Sequence, residues 1–119
     1  APLSGTAMKA SAGALQHIPV AKTGSLTKAL EDCRNAGFRI LALDAAAELQ
    51  YNEALAANAL VQEPLVVVIG SEGAGIQPAV RRLCTDALAI PLHGKISSLN
   101  ASVAAGIILF EIVRQRQAQ

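Results

Sequence analysis

A continuous apolar run that ends in a glycine-rich loop constrains the fold of this chain more than any other feature. Residues Leu65–Ile69 read Leu-Val-Val-Val-Ile, and residues 70–75 read Gly-Ser-Glu-Gly-Ala-Gly. A short run rich in β-branched residues is typical of a strand buried on both faces, as in a parallel sheet. The sequence therefore predicts an α/β domain in which one strand ends in a loop of nearly bare backbone.

The other apolar patterns predict helices and strands in alternation. We expect helices over residues 8–15, 26–36 and 100–116, a short helix opened by Pro78, and strands over residues 39–43 and 87–90. Ser25 caps the second helix, Gly37 ends it, and Leu26, Ala29, Leu30 and Cys33 form its apolar stripe. Residues 45–58 are predicted to be irregular, with a helical turn around residues 52–57. This alternation predicts a mostly parallel sheet with flanking helices.

The last helix is apolar on more than one face. Val103, Ile107, Phe110 and Val113 form one stripe, whereas Ile108 and Ile112 lie on another face. A helix of this kind must be covered on two sides. In a chain of 119 residues, which is enough for one domain, the second cover is most simply another subunit.

Composition excludes several classes of protein. The formal net charge is +1 and the aromatic residues are Phe38, Tyr51 and Phe110, so neither a strongly basic RNA-binding surface nor a base-stacking platform is expected within this chain. No apolar run approaches the ~20 residues that span a bilayer. Cys33 and Cys84 have no metal-ligand spacing and are expected to be reduced, partly buried thiols of a cytoplasmic protein. His17 and His93 are isolated, and no metal site is predicted.

The polar motifs admit more than one interpretation. The loop at residues 70–75 is neither a G-x-G-x-x-G dinucleotide loop nor a P-loop, and Glu72 is either a solvated turn residue or a functional acid. Ser98, Leu99 and Asn100 precede the last helix, where they either cap it or form part of a site at its N-terminus. Asp86, His93 and Ser98 are residue types of a hydrolytic triad, but the chain has no nucleophile elbow.

In order along the chain, these motifs resemble the SpoU family, also called TrmH, of RNA 2′-O-ribose methyltransferases, in the SPOUT superfamily. That family carries G-S/A-E-G-x-G after a strand, then Ile-Pro, then Ser-Leu-Asn and an alanine-rich helix with a terminal Glu. The corresponding residues here are 70–75, Ile90 with Pro91, residues 98–100, and residues 101–111. Lys9-Ala-Ser-Ala-Gly-Ala also resembles a segment found ahead of those motifs. The bacterial ribosomal-RNA type, specific for guanosine, is the most similar.

The resemblance implies a trefoil-knot α/β fold, S-adenosylmethionine as the cofactor, and an RNA substrate, either rRNA or tRNA. Gly70, Ile90 and Leu99 match the positions that hold the adenosine, and Leu41, Ala42 and Leu43 would line the same pocket. Glu72, Ser98 and Asn100 match the positions that face the reacting groups. Asn100 and Ser98 would orient the ribose hydroxyl or the cofactor tail, and Glu72 would position a partner group. The family is homodimeric through its final helix.

The chain also departs from the family pattern. The first motif, an Asn-x-Gly followed by an Arg that is the family's usual candidate for activating the 2′-OH, is not found in residues 1–119, and neither is an N-terminal RNA-binding domain. We therefore expect residues 1–119 to be the cofactor-binding C-terminal part of a SPOUT methyltransferase domain, inactive alone. Two alternatives remain: a cofactor-binding fragment without activity, and a generic α/β nucleotide-binding or hydrolytic module.

Overall fold

Among the residues that the structure describes, three strands form a central parallel sheet. The computed structural model describes residues 18–44, 47, 50–52, 55, 60–70, 75–90 and 101–118. In chain order the elements are helix α1 (Leu26–Asn35), strand β1 (Arg39–Leu43), a 3₁₀ helix (Leu60–Gln62), strand β2 (Leu65–Ile69), helix α2 (Pro78–Arg81), strand β3 (Asp86–Leu88) and helix α3 (Ala101–Gln117). The strand order is β2–β1–β3, so β1 lies between the other two.

Helices cover both faces of this sheet. Successive side chains of a strand point to opposite faces. Ile40 of β1 accordingly packs with α1 and α2, in a cluster that also contains Leu30, Val68 and Val80. Leu41, the next residue, packs on the other face with Leu55, Val61, Leu88, Ile108 and Ile112. The continuous apolar sequence of β1 is explained by these two cores, because it contributes to both.

Thr85 joins the start of β3 to β1. Its main-chain N–H donates to the carbonyl of Ile40 at 2.7 Å. Its hydroxyl lies 2.9 Å from the Ile40 N–H, from which it accepts, and 3.0 Å from the Ile40 carbonyl. The Thr85 hydroxyl therefore replaces a main-chain carbonyl as the acceptor for the N–H of Ile40, a residue with no exposed surface. Beside it, the Arg39 guanidinium forms a 2.8 Å ion pair with Asp86.

Helix α3 is covered on one face by its own domain. Ile108, Glu111, Ile112 and Gln115 are buried. Its last turn is held by hydrogen bonds from the Arg116 guanidinium to the carbonyls of Val61 and Glu63, at 2.7 and 3.0 Å, and from the Gln115 amide to the carbonyl of Asn52 at 3.1 Å. Val103, Leu109, Phe110 and Val113 remain exposed on its outer side, with Phe110 at 72%. The expectation of two apolar faces is confirmed.

Most of the predicted elements are confirmed, with boundaries shifted by one or two residues. Ser25 caps α1 by accepting from the Lys28 N–H, and Gly37 follows the helix at φ 96°. Asn52 and Leu55 are helical, as the predicted turn requires, and both cysteines are free and partly buried. The predicted helix at residues 8–15 lies outside the described residues. No described helix has the length and apolar character needed to cross a membrane.

Two details differ from the sequence prediction. Leu26 belongs to the predicted apolar stripe of α1 but is 49% exposed at the first position of the helix, whereas Leu30, one turn further along, is buried. The 3₁₀ helix at Leu60–Gln62 was not predicted. It forms where the C-terminal turn of α3 meets the chain before β2, a tertiary contact that residues 45–64 do not encode by themselves.

We expect Thr85→Val to lower the free energy of unfolding by about 1–3 kcal/mol, because it keeps the side-chain shape and leaves the buried Ile40 N–H without an acceptor. Urea denaturation measures the change. Thr85→Ser, which keeps the hydroxyl, is the matched control and should lose less than Thr85→Val. Equal losses in the two variants would show that the hydroxyl contributes nothing.

Candidate functional site

Positions predicted to hold a cofactor meet at one edge of the sheet. Leu43 is the last residue of β1, Gly70 directly follows β2, and Ile90 lies two residues after β3. The strands are parallel and adjacent, so their carboxyl ends share an edge, which is where ligands bind in open α/β sheets. The structure thus brings together three segments that are distant in sequence. Glu72, Ser98, Leu99 and Asn100 lie outside the described residues, so their assigned roles stay predictions.

The three residues of β1 in that prediction are not equivalent. Leu41 and Ala42 have no exposed surface, and Leu41 belongs to the core that faces α3. Leu43 is only partly buried and lies at the end of the strand. Among these three, Leu43 is therefore the residue whose side chain is best placed to meet a ligand at the carboxyl edge.

Gly70 is a glycine because the chain returns against it. A Cβ built on Gly70 would lie 2.5 Å from the carbonyl carbon of Gly75, 2.7 Å from its oxygen and 2.8 Å from the nitrogen of Ile76. All three are main-chain atoms, which cannot move aside cheaply. Gly75 itself has φ 70°, a conformation that favours glycine. The backbone of Gly75 and Ile76 therefore leaves no room for a side chain at position 70.

The main chain just before Ile90 is fixed by a segment that follows β1. The Asp44 N–H donates to the carbonyl of Leu88 at 3.0 Å, and the Tyr51 N–H donates to the carbonyl of Ala89 at 2.8 Å. Gln50 forms an isolated parallel bridge with Ala89. Residues 50 and 51 therefore extend the parallel pairing beyond the end of β3 and fix the main chain immediately before Ile90.

Gln50 also carries a buried side-chain oxygen, Oε1, with no hydrogen-bond partner. Sequence reasoning did not single out this residue. The sequence predicts only an irregular segment over residues 45–58, and nothing in the local pattern indicates that this segment runs beside β3. The partnership with Ala89 joins residues 39 positions apart and is visible only in the fold.

Ion pairs among the described residues join Lys28 to Asp32, Arg39 to Asp86, and Arg114 to Glu111. Asp86 is at the amino end of β3, where Arg39 and Thr85 engage its carboxylate at 2.8 Å. This position does not favour the hydrolytic triad that includes Asp86. On α3, Arg114 donates to Glu111 at 2.7 Å, and this hydrogen bond lowers the pKa of Glu111 and raises that of Arg114. Burial raises the pKa of the Cys84 thiol, which disfavours its reactive thiolate.

Comparison with known proteins identifies the family of this chain. The model of the SpoU rRNA Methylase family matches residues 1–110. The chain belongs to the SpoU rRNA methylase family. It is 43% identical over 117 residues to an uncharacterised tRNA/rRNA methyltransferase of Mycolicibacterium paratuberculosis, a match that covers 98% of this chain and 36% of that protein. The chain thus spans about a third of the length of this SpoU relative.

Solved structures of SpoU methyltransferases share the fold. The methyltransferase AviRb from Streptomyces viridochromogenes, solved in complex with the cofactor AdoMet, matches 97% of this chain and 46% of its own chain, with a TM-score of 0.82 and 31% identity. An RNA 2′-O ribose methyltransferase matches 93% of this chain and 41% of its own, with a TM-score of 0.82 and 26% identity. The predicted SPOUT-type α/β fold is confirmed. The resemblance assigns the knot to the segment from the glycine-rich loop to the last helix, and residues 71–74 and 91–100 of that segment lie outside the described residues.

We expect Gly70→Ala to destabilise the protein by about 1–3 kcal/mol, because the added methyl overlaps main-chain atoms of Gly75 and Ile76. Gly24→Ala is the matched control. No atom lies within 4 Å of its added Cβ, and its effect should stay below about 1 kcal/mol. Urea denaturation of the two variants measures the difference. A Gly70→Ala protein as stable as Gly24→Ala would contradict the close approach.

Proposed function

We propose that this SpoU-family chain forms the cofactor-binding part of an RNA methyltransferase that transfers a methyl group from S-adenosylmethionine to a ribose 2′-OH, with rRNA as the preferred substrate class and tRNA as the alternative. One observation carries the proposal. Leu43, Gly70 and Ile90 converge on the carboxyl edge of a sheet whose fold matches that of a SpoU methyltransferase solved with AdoMet, at a TM-score of 0.82. Relatives described as tRNA/rRNA methyltransferases support the RNA substrate.

The residues at this edge fit an adenosine-containing cofactor. Gly70 lies against the backbone of Gly75 and Ile76, so position 70 contributes only main-chain atoms to this edge. A buried acceptor, Gln50 Oε1, belongs to the segment that pairs with Ala89, next to Ile90. Adenosine carries N–H and O–H donors on its exocyclic amine and its ribose. The flat faces of its adenine ring are apolar and can pack against the side chain of Leu43. Leu43, Gly70, Ile90 and Leu99 would hold this group.

The chemistry requires positioning more than acid–base strength. S-adenosylmethionine supplies an electrophilic methyl group on a sulfonium. A ribose 2′-OH is a poor nucleophile, so the protein must hold it in line with that methyl group and assist loss of its proton. In this proposal Asn100 and Ser98 orient the hydroxyl or the cofactor tail through hydrogen bonds, and Glu72 positions a partner group. Asn100 immediately precedes the first residue of α3.

We expect Asn100→Ala, made in the full-length protein, to lower methyl transfer to RNA by about 100-fold or more, since loss of orientation costs rate on that scale. Affinity for S-adenosylhomocysteine, measured by calorimetry, should fall much less. Asn35→Ala, at the exposed end of α1, is the matched control and should leave both quantities unchanged. Transfer of labelled methyl groups to rRNA and to tRNA measures activity and also separates the two substrates.

Three results would contradict different parts of the proposal. Wild-type protein that gives no heat with S-adenosylmethionine or S-adenosylhomocysteine would exclude the cofactor. Wild-type protein that binds the cofactor but methylates no RNA would leave a binding module without activity. Unchanged turnover in Asn100→Ala would remove that residue from the mechanism.

We also propose that the protein is a homodimer through the outer face of α3. Four apolar side chains on the outer face of α3 are each at least half exposed: Val103, Leu109, Phe110 and Val113. Together they form an exposed apolar patch of the kind that marks a protein–protein interface. A symmetric pairing of two such faces would cover them, and the inner face is already used by Ile108 and Ile112.

We expect Phe110→Asp to convert the dimer to a monomer, because a charge at the most exposed apolar position of the face would be buried without a partner. Sedimentation velocity across a range of concentrations measures the change, with an expected weakening of the dimer by at least about 30-fold, which corresponds to a hot-spot residue of about 2 kcal/mol. Ile18→Asp, also exposed but far from α3 in sequence, is the control. A Phe110→Asp protein that remains dimeric would place the interface elsewhere.

A further inference from the structure

The side-chain oxygen of Gln50 makes no hydrogen bond that would stabilise the fold. Two buried side-chain atoms among the described residues have no hydrogen-bond partner: Arg39 Nε and Gln50 Oε1. Arg39 lies at the amino end of β1, where another nitrogen of the same guanidinium binds Asp86. Of these two atoms in the described part of the chain, only Gln50 Oε1 belongs to a segment at the carboxyl edge of the sheet.

The position of Gln50 relative to the site is set by its main chain. The residue forms a parallel bridge with Ala89, and the N–H of its neighbour Tyr51 donates to the Ala89 carbonyl at 2.8 Å. Ile90 is the next residue along that chain. Gln50 is thus held beside the strand end that leads into a predicted cofactor-binding position, by backbone contacts that do not depend on its own side chain.

An unpaired buried amide oxygen destabilises the protein by about 1–3 kcal/mol, and such atoms are rare in folded proteins. The penalty disappears when a donor arrives, so the oxygen favours any bound state that supplies an N–H or O–H. A neutral amide suits a neutral donor. An ammonium group, such as that of a methionine moiety, is better matched by a carboxylate. Adenosine offers neutral donors on its exocyclic amine and its ribose hydroxyls.

We infer that Gln50 is a cofactor-binding residue, whose Oε1 accepts a hydrogen bond from the adenosine part of S-adenosylmethionine. This inference rests on the proposed function. It adds a side-chain contact to a site otherwise assigned through Gly70, Ile90 and Leu99, and it explains why a polar residue occupies a half-buried position next to β3.

Gln50→Leu removes the acceptor and keeps most of the side-chain volume. By calorimetry, we expect its affinity for S-adenosylhomocysteine to fall about 3- to 10-fold, the range that one neutral hydrogen bond supports. Affinity for 5′-methylthioadenosine, which shares the adenosine and lacks the amino acid, should fall by the same factor. Without ligand, the melting temperature of the variant should equal or exceed that of the wild type, because an unpaired buried acceptor has been removed.

Gln117→Leu, an exposed position at the end of α3, is the matched control and should bind both ligands as the wild type does. Three results would overturn the inference while leaving the proposed function intact: wild-type affinity in Gln50→Leu, a loss confined to S-adenosylhomocysteine, which would place the contact on the amino acid part, or a lower melting temperature without ligand, which would show a structural partner for the amide. A wild-type protein that binds neither ligand would overturn the inference and the proposed function together.

Discussion

The fold depends on the simultaneous pairing of β1 with two parallel partners. Ile40, Leu41 and Ala42 have no exposed surface, and their strand is in register with Val66–Val68 on one side and with Asp86 and Ala87 on the other. Because both pairings are parallel, the ends of three strands are forced to the same edge. This constraint brings together residues of distant motifs that are predicted to bind the cofactor, and the loops themselves need only begin at the right strand end.

Much of this architecture could be predicted because local and global signals agree. The β-branched run at Leu65–Ile69, the Ser25 cap and the Gly37 stop each specify one conformation locally, and the tertiary fold adopts the same one. The two apolar faces of α3 could be predicted for the same reason. Isoleucines at positions 108 and 112 share one face and Phe110 lies on another, so the periodicity alone requires two covers, and the structure supplies one of them.

The parts that could not be predicted rest on contacts between residues far apart in the chain. Nothing near Gln50 in the sequence indicates that its main chain pairs with Ala89. The burial of its side-chain oxygen therefore could not be predicted from the motifs. Gly70 is predicted to bind the cofactor, but its sequence context does not show that the backbone of Gly75 and Ile76 also leaves no room for a side chain at that position. Leu26 has the spacing of the apolar stripe and is nevertheless exposed, because helix periodicity alone does not show which part of a stripe the rest of the protein covers.

Helix α3 links the proposed dimer to the proposed site. Its inner face is fixed by Ile108 and Ile112, and its last turn is tied through Arg116 to the carbonyls of Val61 and Glu63, just before β2. The helix is therefore part of the same packed body as the sheet. Asn100 lies one residue before it, and the outer apolar face lies along it. A second subunit seated on that face would rest on the element that follows the Ser-Leu-Asn motif, so association and cofactor binding would share one rigid support.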